Sequence, residues 1–195
     1  MEDLIAEPTS AEDLFKIANK RCNVYVYEDL KNFDDIDELF EKRDDRDDYK
    51  FDDNAAIILY KSEPMFGHWT MVVRDDGDYN YLDSYGGKID NPLAHVPKKI
   101  NKELGQDKKY LANLLLKAMN GGSNIYYNDA KLQKLDPNVS TCGRYCALYL
   151  KYSYMNVDDF AAMIKKLSKR LKMSNDEVIT YLSMVSSDSE SSASE

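Results

Sequence analysis

The stretch that decides the reading of this chain runs from His68 to Arg74 (HWTMVVR), through Asp75 to Asp78 (DDGD), and on from Tyr79 to Ser84 (YNYLDS). Two runs rich in β-branched and aromatic residues flank Asp76-Gly77. That dipeptide favours a two-residue hairpin, because both central positions of a type I′ turn need positive φ. With such a turn Asp75 faces Asp78, and counting back along both strands puts His68 opposite Tyr85. Asp83 then becomes a diagonal cross-strand neighbour of His68, at about 7–8 Å or slightly less between Cβ atoms. A carboxylate placed there can accept from imidazole Nδ1–H, which fixes the tautomer and stabilises the imidazolium. A histidine that merely packs at a sheet edge satisfies the same pattern, so a second group must decide between the two.

Working outward, Asn54–Tyr60 reads as a buried strand and Val24–Tyr27 as a short one. Ser10 and Asp13 form a capping-box start for a short helix carrying Leu14, Ile17 and Ala18. Phe33–Phe40 reads as another short helix, and Lys42–Asp53 as a charge-dense loop. Beyond the hairpin come a Gly86-Gly87 turn and a proline-punctuated loop to Pro97. A helix is expected over Lys108–Met119, broken by Gly121-Gly122, and then a strand at Ile125–Tyr127. After a loop through Pro137, Cys142–Tyr152 reads as a mostly buried helix and Val157–Leu171 as an amphipathic one. Ser174 and Glu177 cap a last helix ending near Met184. This order of elements predicts an α+β fold, with helices packed around a mainly antiparallel central sheet.

The chain has 195 residues, 43% hydrophobic, which suits one domain with a real core. That domain is expected over residues 1–185, with the serine-rich acidic tail 186–195 disordered. The net charge is −9, so general binding to a phosphate backbone is not the expectation. Charge is uneven, however: residues 34–53 are rich in aspartate, whereas Lys98, Lys99, Lys102, Lys108 and Lys109 form a basic patch that could hold an anion. The N-terminus lacks the pattern of a signal peptide, and no apolar run is long enough to span a membrane.

The three cysteines Cys22, Cys142 and Cys146 match neither a disulfide framework nor, with two histidines in the chain, a zinc site. A reducing compartment fits this usage. Cys142 stands where a polar loop becomes an apolar helix. A helix N-terminus stabilises a thiolate, and an imidazolium beside it would do so further. Gly143 would leave room for substrate backbone next to the sulfur. Cys146, one helical turn on, reads as a small core residue. On spacing alone, Cys142 is also most simply a packing cysteine. Acyl transfer would need an oxyanion donor besides the Cys142 N–H, and the Gln133 side chain is the candidate.

Taken together, Gly67-His68-Trp69, Leu82–Gly86 (LDSYG), Leu132-Gln133 and Asn138–Tyr145 (NVSTCGRY) resemble the clan of adenovirus protease (adenain) and the ubiquitin-like-protein-specific proteases. The nearest flavour is that of capsid-maturation proteases of double-stranded DNA viruses and virophages. The chain order His, Asp, Gln, Cys is that of the clan, and the resemblance covers residues 54–154. It implies an adenain-like fold with His68 as general base, Asp83 orienting it, Gln133 in the oxyanion hole and Cys142 as nucleophile. It implies substrate contacts at Trp69 and Gly143, and neither metal nor cofactor. The gap from Gln133 to Cys142 is longer than is common in the family, with the extra residues just after Gln133.

The resemblance further implies protein substrates such as viral structural precursors, cut after glycine because a narrow tunnel covers the cysteine. Gly121-Gly122 would be a matching self-cleavage site, although a helix C-cap explains it as well. Such an enzyme would act in the virion, the host cytoplasm or a viral factory, and a peptide or nucleic acid could activate it. A protease removing a ubiquitin-like modifier, an acyltransferase and a catalytically silent virion protein would share the same scaffold.

Overall fold

The computed structural model describes residues 1–43, 46, 48–64 and 66–191, with side chains as far as Ser186. Five strands lie in the order β1 (Lys20–Val26), β2 (Lys50–Glu63), β3 (Phe66–Asp75), β4 (Asp78–Leu82) and β5 (Ile125–Tyr127). The β3–β4 hairpin has the register its turn dictates: Asp75 pairs with Asp78, Val72 with Tyr81 and Met71 with Leu82. Asp76 and Gly77 take φ values of 47° and 85°, as the two-residue turn requires.

The sheet is mixed, antiparallel at its centre but not purely so. β2, β3 and β4 are antiparallel neighbours, but β1 runs parallel to β2 and β5 parallel to β4. Both parallel edges follow long connections, which parallel pairing needs. Two 3-10 turns, Tyr27–Asn32 and Ile36–Leu39, lie between β1 and β2. The second replaces the α-helix expected over Phe33–Phe40. The expected loop over Lys42–Asp53 is also shorter, since β2 begins at Lys50; Asp44, Asp45 and Asp47 lie outside the described residues.

Both faces of the sheet are covered, which is why β2 and β3 read as continuous apolar runs. Ala55, Ile57, Met71, Val73 and Leu82 point to the face covered by α2 (Ala11–Ala18), α5 (Cys142–Lys151), α6 (Val157–Leu171) and α7 (Asn175–Ser191). Ala56, Ile58, Tyr60, Val72, Tyr79 and Tyr81 point to the other, covered by the 3-10 turns and α4 (Tyr110–Asn120). Two short helices, α1 (Glu2–Ala6) and α3 (Lys98–Glu103), were not anticipated. The Ser10–Asp13 capping box forms as expected. Gly121-Gly122 closes the end of α4, with both N–H groups donating to carbonyls of its last turn. Helix α7 continues to Ser191, past the expected end near Met184 and into the segment expected to be disordered. Residues 192–195 of that tail lie outside the described residues.

Among the elements on the first face, α5 is central: every residue from Cys142 to Leu150 is buried. It packs across β3 and against α2 and α7. This fixes the start of α5 near the start of β3, where His68 stands.

Candidate active site

The imidazole and the carboxylate meet as the hairpin requires. His68 Nε2 bonds Asp83 Oδ1 at 2.8 Å. The nitrogen used is Nε2, not the Nδ1 expected from the sequence. The ladder stops at Leu82, and the chain then turns through Asp83–Gly86, with Gly86 N–H donating to Asp83 O at 2.8 Å. Past the ladder, the His68 and Tyr85 rings stack with centroids 4.3 Å apart. The stacking and the carboxylate together hold the imidazole plane.

Asp83 is 1% exposed and is itself held on several sides. Its Oδ1 also accepts from Tyr85 N–H at 2.9 Å. Asn128, fully buried, accepts from Asp83 N–H at 2.9 Å and donates to Asp83 O at 2.8 Å. Asn128 follows β5 directly, so the parallel edge strand that the sequence reading did not pair has a role: it brings a clamp to the aspartate.

With Nε2 committed to Asp83, Nδ1 is buried without a well-formed hydrogen bond and is left for the Cys142 thiol, which interacts with the ring. Cys142 is the first residue of α5, and no side chain caps that end of the helix. Burial pushes its thiol up, but the His68 ring and the backbone N–H groups of Trp69 and Gly143 outweigh burial, and the net shift is downward. For His68, burial acts to lower the pKa; the bonds to Asp83 and Cys142 outweigh it and push the imidazole up to about 9. Both shifts work in the direction of a thiolate–imidazolium pair.

A cleft of about 310 Å³ opens over this pair. Trp69 and Gln133 line it, as do Tyr85, His95, Val139 and Ser140. Gln133 is 4% exposed. Its Oε1 accepts from Ser84 Oγ at 2.7 Å, and its Nε2 donates to Val139 O at 3.1 Å and, more weakly, to Tyr85 OH at 3.4 Å. The long gap from Gln133 to Cys142 is thus accommodated by a loop that brings both into one cleft. Two exposed apolar side chains, Phe66 and Leu135, stand on its rim, 56% and 71% exposed.

Gly143 does not occupy the place expected of it. A Cβ there would lie 2.8 Å from Thr9 Cβ and 3.1 Å from Leu14 Cδ2, so its missing side chain admits the N-terminal segment and not a substrate. Hydrogen bonds from three surrounding residues strap that segment down. Ser140 N–H donates to Ile5 O at 2.8 Å, Arg144 Nη1 to Glu7 O at 2.9 Å, and Trp69 Nε1–H to Thr9 O at 3.0 Å. Pro8 and Thr9 thereby become part of the cleft wall.

Asp176, at the start of α7, was also missed by sequence reasoning. It accepts from Lys134 N–H at 2.9 Å and from Thr141 Oγ1 at 2.5 Å, tying together both ends of the loop between Gln133 and Cys142. Its sequence signal was ambiguous, since it sits inside the helix-start pattern Ser174–Glu177.

No protein-family model matches the chain. The chain is similar to a protein of Sputnik virophage described as "Uncharacterized protein V9", 26% identical over 173 residues, which are 88% of this chain and 91% of that protein. This likeness suggests a virophage origin. Among the described residues no helix is long and apolar enough to cross a membrane, and no group of three or more histidine, cysteine or acidic side chains is placed to hold a metal ion.

Proposed function

We propose that this chain is a cysteine endopeptidase that processes structural precursor proteins during assembly of a virophage or related double-stranded DNA virus. The observation that carries the reading is the contact of one hairpin's histidine and aspartate with a cysteine from a distant helix: Asp83 on His68 at 2.8 Å, and His68 on a thiol at a helix start. The virophage relative supports the setting, and the apolar rim formed by Phe66 and Leu135 suits a polypeptide substrate.

In this reading the Cys142 thiolate attacks the scissile carbonyl carbon. The Cys142 N–H and the Gln133 amide, turned from its weak contact with Tyr85, hold the oxyanion. The imidazolium gives its proton to the leaving amine, and a thioester remains on Cys142. His68 then takes a proton from water, whose oxygen attacks the thioester and releases the acid and the free thiol. Asp83 keeps the ring in the working orientation throughout.

The test is incubation of the protein with co-expressed virophage capsid precursors, followed by mass spectrometry of new termini. The wild type is expected to generate termini that Cys142→Ala does not. Identical termini from both would end the reading.

A further inference from the structure

The 3-10 turn Asn91–His95 separates two concavities. On one side, Pro92 and His95 face the cleft over Cys142. On the other, Asn91, Leu93 and Ala94 form one wall of a larger cavity, about 740 Å³, a size that suits a small organic ligand. Lys88, Lys98, Lys102, Lys108 and Lys109 surround that cavity. This is a concentration of positive charge on a protein whose net charge is −9.

The neighbouring lysines Lys61 and Lys99 pair with Glu28 and Glu103 at 3.1 and 3.9 Å. Among the described residues, none of the five cavity lysines has such a partner. The buried Asp90, whose carboxylate accepts from Tyr60 OH at 2.8 Å and from Ala112 N–H at 3.0 Å, acts on Lys109 and offsets part of this charge, but five lysines against two carboxylates leave an excess of positive charge. Asp107 is the other carboxylate on the wall. Ammonium groups gathered around one concavity repel one another, the more so at low ionic strength. An anion with several charges relieves that repulsion, whereas a single carboxylate relieves little of it. The floor offers little to a polar ligand: Asn101 donates to Leu93 O at 2.7 Å and accepts from Gln106 at 2.9 Å. Ile89, Leu93 and Ala94 add an apolar wall.

We propose that this cavity binds a compact organic polyphosphate, with clustered phosphates on the lysines and a ring against Ile89, Leu93 and Ala94. Lys88 precedes the Asn91–His95 turn and Lys98 follows it, so a ligand held by both also fixes the segment that walls the catalytic cleft. The binding itself does not depend on the protease reading.

The experiment is calorimetric titration of the full chain with ATP in EDTA and, separately, with inorganic tripolyphosphate, at about 0.15 M salt. Both are expected to bind saturably at one site, ATP more tightly. The charge reversal K98E/K102E is expected to weaken binding by about ten-fold or more, while K165E/K166E, the same charge change on α6, alters it less than about two-fold. If K98E/K102E does not fold, K88Q/K108Q serves in its place. Absence of saturable binding, or equal weakening by both reversals, overturns the site. Displacement of ATP by a single-stranded oligonucleotide at equal phosphate concentration overturns the compact ligand in favour of a nucleic-acid strand. Saturating ATP is also expected to change the rate of Cys142 alkylation by iodoacetamide, and an unchanged rate removes the link through the turn.

Discussion

Cys142 and Cys146 stand one helical turn apart on α5, both buried, at 8% and 1% exposure. Burial acts on both thiols in the same direction, upward. For Cys146 nothing opposes it, and nearby acidic groups add to it; Cys22, across the same core, is likewise pushed up. For Cys142 the ring and the Trp69 N–H delivered by β3, with the Gly143 N–H at the helix start, reverse the sign. The difference teaches that a helix and a buried thiol do not by themselves lower a thiol's pKa; a ring brought from a distant strand does. The largest expected effect breaks the pair apart. Cys142→Ala should lose peptidase activity by about 10⁴-fold or more, while Cys146→Ala stays within a few-fold of wild type. Iodoacetamide followed by peptide mapping should find label at Cys142 well before Cys146. Equal labelling of both would erase the contrast.

Removing the group that supports the cation sharpens the comparison. Asp83→Asn keeps the size of the side chain but takes away the charge that favours imidazolium. Activity should fall by about 10²–10⁴-fold, read as kcat/KM on a peptide that the wild type cleaves. The pH profile carries the sign. On the proposed mechanism the dyad would be active while the thiolate and imidazolium coexist, so the acid limb would report protonation of the thiolate. The alkaline limb would report loss of the imidazolium proton and is expected near pH 9 in the wild type. Because the bond to Asp83 holds the His68 pKa up, Asp83→Asn should move the alkaline limb to lower pH. The measured limbs belong to the coupled pair, so the direction of movement is the test. A limb that stays in place would show that Asp83 does not act on the ring.

Much of this site could be read in the sequence, because a two-residue turn fixes the register of everything beyond it. Asp76-Gly77 settles the pairing of Met71 with Leu82, and that pairing carries His68 and Asp83 together. What the turn cannot fix is ring orientation. The choice of Nε2 over Nδ1 depends on where Cys142 lies, 74 residues beyond His68 in the chain. Gly143 shows a similar limit: a glycine beside a cysteine reads as space, and which atoms fill the space depends on a segment from the far N-terminus. The parallel edges were out of reach for a related reason. Val24–Tyr27 and Ile125–Tyr127 announce strands, but their partners arrive through long crossovers that no local pattern specifies.

Asp176 is the smallest expected effect and the one that best separates positioning from chemistry. It does not touch the thiol or the ring, yet it grips Thr141 just before Cys142 and Lys134 just after Gln133. Truncating it to Ala leaves a buried hydroxyl and a backbone N–H without their acceptor, a cost of about 1–3 kcal/mol in stability by denaturant melt. If the loop it ties also sets the distance between the oxyanion donors, kcat should fall by about ten-fold while KM changes little. The alkaline limb should stay where the wild type has it, unlike the shift expected for Asp83→Asn, because the His68–Asp83 bond is untouched. Asp176→Asn, which keeps one acceptor oxygen, should recover part of the rate. A stability loss with kcat unchanged would make Asp176 a fold residue, and the spacing of Gln133 and Cys142 would then have to be held by Ser84 and the N-terminal strap.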